Sequence, residues 1–222
     1  MDLLTAFRMT LGQDLPDWVT IQRVEDNTRA MTVYRSQDGT ALAFGFEGTK
    51  GAIWPPSDDW LENLRAWKKA PSSGPGRVHA GFLDQYSLLS PTIADALRVY
   101  APRTVYLCGF SQGAALATMA WRDLIRDAGV AVHGYAFASP RVYDACGAYS
   151  FGLTLANSET DTFQRIEVTG DPVSHLPPWV LDYQHVGPVV RLGPWRPFPD
   201  FSLPNPIHDP TNYITIIQGA MP

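Results

Sequence analysis

The chain has 222 residues, of which 45% are hydrophobic, 12% aromatic and 18% charged, with a formal net charge of -5. That is enough apolar material for one α/β-sized core without staples, and too little charge for a disordered chain. The acidic balance offers nucleic acid no electrostatic footing, and the 17 basic residues are scattered, with no polybasic run for a membrane surface.

In chain order, residues 2–12 predict a short amphipathic helix. Met31–Arg35 and Thr40–Phe46 predict two strands joined by Ser36-Gln37-Asp38-Gly39, which has hairpin-turn chemistry. After an irregular stretch rich in Gly, Pro and Trp, residues 58–69 place Trp60, Leu61, Leu64 and Trp67 at helical spacing. Residues 70–76 are a loop by composition. Phe82–Leu89 and Ile93–Tyr100 predict two helices, with Ser90 as cap and Pro91 as first position of the second. Thr104–Gly109 reads as a fully buried strand, 112–128 as a helix stopped by Gly129, and Val132–Ala138 and Gln164–Val168 as further strands. From 171 onward proline dominates, leaving loop, a hairpin near 185–192 and a last helix at about 210–218. Strands alternating with helices predict one α/β domain over 1–222: a mostly parallel central sheet with an antiparallel edge and helices on both faces.

Two cysteines, Cys108 and Cys146, are too few for a disulfide scaffold or a cysteine-ligated zinc site. Cys108 lies inside an apolar run and reads as a buried free thiol. The N-terminus lacks a basic n-region and a long apolar h-region, and no run reaches the length of a transmembrane segment. The expected compartment is therefore cytoplasmic by default; a protein released by lysis or one with a trimmed signal has the same sequence features.

Chemistry concentrates first in Gly109-Phe110-Ser111-Gln112-Gly113, a G-x-S-x-G elbow with a buried strand before it and a helix after it. A sharp strand-to-helix turn forces the central serine into strained backbone angles and leaves no room for side chains two residues away. Its oxygen then projects at a helix N-terminus, where negative charge is favoured. A nucleophilic serine needs a base, and the base an orienting acid, in the chain order Ser, Asp or Glu, His. The downstream histidines are His133, His175, His185 and His208; the acids include Asp144, Asp161, Asp171, Asp182 and Asp209. Asp171 follows a predicted strand, at the carboxyl end where ligand chemistry gathers in open α/β sheets, and His208 precedes the last helix in a polar loop. Spacing alone leaves His175 and His185 open.

Four further stretches, AFGFEGT (43–49), VHAGF (78–82), FASPRV (137–142) and DPVSHLPP (171–178), resemble in this order those of the class 3 lipases, the fungal-type triacylglycerol lipases and their bacterial relatives. Ala43–Thr49 (AFGFEGT) looks like the family's strand ending in F-R-G-[ST], and Val78–Phe82 (VHAGF) matches V-H-x-G-F. Phe137–Val142 (FASPRV) is close to F-G-S-P-R-V, and Asp171–Pro178 (DPVSHLPP), followed by Tyr183–Gly187, is close to D-x-V-x-x-L-P-P. The resemblance implies an α/β-hydrolase fold and a triad of Ser111, Asp171 and His208, the last matched together with Tyr213. It also implies oxyanion donors at Gln112, through its backbone N–H, and Thr49, through backbone N–H and hydroxyl. His79, His133, His175 and His185 take structural readings. Two departures stand out: Glu47 where the family has Arg, a carboxylate that opposes oxyanion charge unless paired or turned away, and F-S-Q at the elbow in place of H-S-L. Gln after the nucleophile is familiar from cutinases, carboxylesterases and acyl-protein thioesterases.

The implied reaction is ester hydrolysis through an acyl-serine, with no metal or cofactor. Residues 51–67 fall where the family carries its lid, so Ile53, Trp54, Trp60 and Leu61 are lid or substrate-binding candidates and a basis for transient contact with a lipid interface. The same tryptophans equally suit a helix laid on the core. Expected substrates are acylglycerols or related lipid esters. The alternatives are non-lipid esters (feruloyl, cutin-like, acetyl) on the same fold, or an inactive binding scaffold. No nucleic-acid partner is expected.

Overall fold

The computed structural model describes residues 1–26, 29–49, 67–71, 74–125, 129–200 and 206–220. Helix α1 (Leu3–Met9) opens the chain, capped by Asp2, whose carboxylate accepts from the Thr5 N–H at 2.8 Å. Three antiparallel strands follow, β1 (Trp18–Glu25), β2 (Ala30–Ser36) and β3 (Ala41–Phe46). The β2–β3 turn forms as predicted, with Asp38 Oδ1 accepting from Ser36 Oγ (2.7 Å) and from the Thr40 N–H (2.9 Å). β1 was not anticipated. A register shift between Thr20 and Gln22 puts its half-buried residues at Trp18, Ile21 and Val24, every third position, and so erases the period-two signal of a strand.

Residues 50–66, and with them most of the helix expected at 58–69, lie outside the described residues. Its last two residues are not helical: Lys68–Lys69 form a short strand, β4, paired antiparallel with β5 (Val78–His79). The two helices expected at 82–89 and 93–100 are one, α2 (Ala80–Tyr100), running through Pro91. The carbonyl of Ser87 loses the donor that Pro91 lacks and accepts instead from Ser90 Oγ at 3.3 Å, so Ser90 repairs the helix where it was expected to start a new one.

β6 (Thr104–Phe110) leads into α3 (Gln112–Leu124). α3 ends short of the predicted 128, because the chain must turn back for Ala131 N to bond the Arg103 carbonyl (3.1 Å); residues 126–128 lie outside the described residues. β7 (Ala131–Phe137) is followed by an unanticipated helix, α4 (Ala145–Ala156). Two glycines and several poor helix formers hide α4 in the sequence. It is held by its Asp144 cap (2.8 Å to Gly147 N) and by burial of Phe151. β8 (Thr162–Val168) and β9 (Val189–Leu192) pair in parallel, so the block near 185–192 supplies one edge strand and not a hairpin. α5 (Pro210–Ala220) closes the chain.

The seven-stranded sheet runs β1-β2-β3-β6-β7-β8-β9, antiparallel across β1–β3 and parallel from β3 to β9. Alternating strand residues build two cores. Phe44, Leu107 and Val132 face α2, α3 and α4, while Ala43, Cys108 and Phe137 face α1 and α5. The mostly parallel sheet, its antiparallel edge, the helices on both faces and the buried free thiol of Cys108 are as expected.

Trp121 anchors the larger core: its ring lies 4.5 Å from Phe151 and 5.7 Å from Phe163, and its indole N–H donates to the Thr162 carbonyl at 2.9 Å. Trp121→Ala is expected to lower the unfolding free energy by about 3–5 kcal/mol in urea titrations.

Candidate active site

A single residue, Ser111, joins β6 to α3. Its φ of 56° and ψ of -122° lie in a region that costs a non-glycine residue about 1–3 kcal/mol. Two bonds hold it there: Ser111 N donates to the Phe137 carbonyl (2.9 Å), and Ala114 N donates to the Ser111 carbonyl (3.0 Å). A Cβ on Gly109 would stand 2.2 Å from the Gly113 carbonyl oxygen, and one on Gly113 would stand 2.2 Å from that of Phe46. The G-x-S-x-G spacing is thus a steric requirement of the turn.

His208 arrives from the loop before α5 and stacks on Phe110 at 5.0 Å. Its Nε2 lies 2.9 Å from Ser111 Oγ, and its Nδ1 lies 2.8 and 3.0 Å from the two oxygens of Asp171. The carboxylate requires a proton on Nδ1, which leaves the Nε2 lone pair facing the hydroxyl. Asp171 is 1% exposed and sits just past the end of β8. It accepts from Val173 N (2.9 Å) and from Tyr213 OH (2.7 Å), while the Tyr213 oxygen itself accepts from Val168 N (3.1 Å). Burial, together with the nearby Asp171 carboxylate, raises the Tyr213 phenol well above its usual range and keeps it a donor. Such an alignment can pass a proton from hydroxyl to imidazole and hold the imidazolium that results.

The structure brings together the three residues singled out by sequence and sets the other histidines apart. His79 packs on Phe82 (4.4 Å between rings), and His133 bonds Thr162 Oγ1 (2.9 Å) and stacks on Tyr106. His185 Nε2 donates to the Ser174 carbonyl (2.7 Å). Arg141, from the FASPRV block, bonds the carbonyls of His175 and of Pro177 (2.8 Å). Together these two side chains clamp the turn that follows Asp171. Rival acids are occupied too: Asp144 caps α4, Asp161 accepts from Val132 N (2.7 Å), and Asp182 pairs with Lys68 (2.8 Å).

The loop after β3 lies against the serine; a Cβ on Gly48 would be 3.5 Å from Ser111 Cβ. Gln112 is the first residue of α3, where N–H groups have no carbonyl partner within the helix. Thr49 Oγ1 donates to Gln112 Oε1 (2.9 Å), and Gln112 Nε2 donates to Gln85 Oε1 (2.6 Å). Glu47 is turned to Arg23 on β1, which also bonds Thr32 Oγ1 (2.9 Å) and Glu25 (2.7 Å). The bond to Glu47 is the largest influence raising the Arg23 pKa. Arg23 and Gln85 were not identified from sequence. Arg23 belongs to the hidden strand, whereas Gln85 carries one faint signal, a polar residue in the 82/85/86/89 stripe of α2. Ile53, Trp54, Trp60 and Leu61 lie outside the described residues; Trp67 is 77% exposed and so does not pack on the core.

A mostly parallel sheet with a strained serine at a strand-to-helix turn, bonded in line to histidine and aspartate, defines an α/β-hydrolase. Residues 43–181 match the family of class 3 lipases, and the chain belongs to that family of carboxylic ester hydrolases. Its fold is similar to that of a triacylglycerol lipase whose catalytic centre is a serine protease triad (TM-score 0.65, 22% identity, 80% of this chain and 68% of that one). It is also similar to a triacylglycerol lipase from Penicillium expansum (0.67, 16%, 84% and 75%) and to a lipase from Rhizopus microsporus var. chinensis (0.67, 24%, 85% and 72%).

Burial and the neighbouring Arg165 push His185, its side chain 20% exposed, from 6.5 down to about 3. Between those values the unfolded chain binds a proton that the folded chain does not. The stabilisation is complete above about 6.5 and is lost as pH falls toward 3. Removing this group in His185→Gln is expected to flatten the dependence of unfolding free energy on pH, between about pH 6 and 4, by at most about 1.4 kcal/mol per unit. Denaturant titrations across that range measure it.

Proposed function

We propose that this chain hydrolyses lipid esters with Ser111 as nucleophile, His208 as base and acid, and Asp171 as the group that fixes the imidazole. The carrying observation is the unbroken alignment of Ser111 Oγ, His208 and Asp171, with contacts of 2.9 and 2.8 Å. Ser111 Oγ attacks the ester carbonyl carbon while His208 Nε2 takes its proton. The carbonyl oxygen becomes negative and is met by the backbone N–H groups of Gln112 and Thr49. The C–O bond to the alcohol then breaks, the alcohol leaves with the proton from His208, and an acyl ester remains on Ser111. Water, deprotonated by the same imidazole, attacks the acyl carbon and releases the carboxylic acid and free serine.

A lipid substrate is favoured by membership of the class 3 lipases and by the aromatic-rich stretch 51–67, for which we propose contact with the lipid interface. Among the described residues no helix is long and apolar enough to cross a membrane. Ser111→Ala is expected to lower kcat on p-nitrophenyl esters by roughly five to six orders of magnitude with unchanged folding; wild-type rates in that variant would refute the assignment. Across an acyl chain-length series, long-chain esters should be preferred and their rate should rise abruptly at the concentration where they aggregate. A smooth hyperbola through that concentration speaks against interfacial contact.

A further inference from the structure

We propose that Gln85, acting through the side chain of Gln112, is a positioning residue that governs whether the hydroxyl of Thr49 donates to the oxyanion. This rests on the assignment of Ser111 as nucleophile. Three elements contribute one polar side chain each: the loop after β3 gives Thr49, the first turn of α3 gives Gln112, and α2 gives Gln85. They form a chain in which Thr49 Oγ1 donates to Gln112 Oε1 (2.9 Å) and Gln112 Nε2 donates to Gln85 Oε1 (2.6 Å). In that polarity the hydroxyl proton of Thr49 is engaged by the amide and is not offered to a substrate.

A primary amide presents an acceptor and a donor at nearly the same distance from its carbon. Turning both amides over therefore gives the opposite chain from the same heavy-atom positions. Gln85 Nε2 then donates to Gln112 Oε1, Gln112 Nε2 donates to Thr49 Oγ1, and the Thr49 proton is released. The site is adjacent to the chemistry: Gln112 follows Ser111 directly, and a Cβ on Gly48 would stand 3.5 Å from Ser111 Cβ. With no negative charge nearby, the hydroxyl gains most by donating to the amide. Once an oxyanion forms, a charge-assisted bond from the hydroxyl is roughly twice as strong as a neutral one, and the reversed chain is favoured. The extra donor is thus engaged mainly in the transition state, where it raises kcat and not merely affinity. Glutamine at 85 is what permits both polarities. A carboxylate there only accepts and holds the chain in its resting sense, whereas an ammonium only donates and holds it in the reversed sense.

The test compares kcat and KM on a p-nitrophenyl ester for Gln85→Glu and Gln85→Lys, each in the native and the Thr49→Val background. Active sites are counted with a serine-directed phosphonate and folding is checked by circular dichroism. Gln85→Lys is expected to exceed Gln85→Glu in kcat by about tenfold or more, with KM within about twofold, and Thr49→Val to lower kcat by about tenfold or more. In the Thr49→Val background the Lys-to-Glu ratio is expected to shrink to about twofold or less. An equal ratio in both backgrounds means that the charge acts through space and overturns the proposal, as does wild-type kcat in Thr49→Val. Should the Gln85 variants not fold, Gln112→Glu must fall below Gln112→Met in kcat, and the gap must shrink to about twofold or less in the Thr49→Val background, because the carboxylate captures the Thr49 proton; an equal gap in both backgrounds, or the reverse order, overturns the proposal. If the phosphonate fails to label Ser111, the nucleophile assignment itself has failed. If Ser111 is labelled and the ratios do not depend on background, the relay alone has failed.

Discussion

One turn constrains the whole site: the chain must leave β6 and enter α3 through a single residue with positive φ. That geometry is tolerated because β6 lies in the middle of the sheet, so its neighbours can fix the turn from both sides. On one side the Phe137 carbonyl, at the end of β7, accepts from Ser111 N. On the other, Gly113 brings α3 against the Phe46 and Glu47 carbonyls at the end of β3. The same contacts that hold the serine in place therefore also set the first turn of α3 beside the loop after β3. Phe110, the residue before the serine, gives His208 its stacking surface, so the imidazole is referenced to the strand that leads into Ser111.

Asp171 is held by a different logic. A carboxylate as buried as Asp171 needs donors, and it receives them from His208, Tyr213 and Val173 N. The turn that carries it is in turn clamped by Arg141 and His185, which bond carbonyls of the segment from Ser174 to Pro177. Arg165 and Glu167 form a buried pair on β8 just before the turn, and Arg165 adds to the burial that lowers the pKa of the neighbouring His185. Removing Arg165 would take from the buried Glu167 its nearest cation, which is costly for a charge so shielded from water.

The parts legible in the sequence were those where chemistry or sterics admits few residue types. Gly109 and Gly113 are demanded by the turn at Ser111; of the ordered blocks, 43–49 ends in the loop that lies against Ser111, 137–142 supplies the Phe137 carbonyl and Arg141, and 171–178 carries Asp171 and the carbonyls that Arg141 bonds. Spacing could not choose among His175, His185 and His208, because the choice depends on where α5 docks, a contact made by Phe7, Phe110 and Tyr213 across the second core. β1 was hidden by its bulge, α4 by its glycines, and the continuity of α2 by a proline whose missing bond is replaced by Ser90. In each case a tertiary or side-chain contact replaced the local signal that sequence periodicity depends on.

The two departures from the family pattern, Glu47 and Gln112, belong to one arrangement. A negative side chain two residues before Thr49 is tolerable only if its charge is drawn away, and Arg23 does this from the antiparallel edge of the sheet. The Arg23 guanidinium also spans Thr32 on β2 and Glu25 on its own strand, so Glu47 is tied to the edge hairpin through a network and not a lone surface pair. From the opposite direction Gln112 and Gln85 tie Thr49 to α2. The loop after β3 is thereby braced from two elements that contribute nothing to the Ser111–His208–Asp171 alignment. This links β1, an edge strand with a bulge and no motif, to the loop that lies against Ser111.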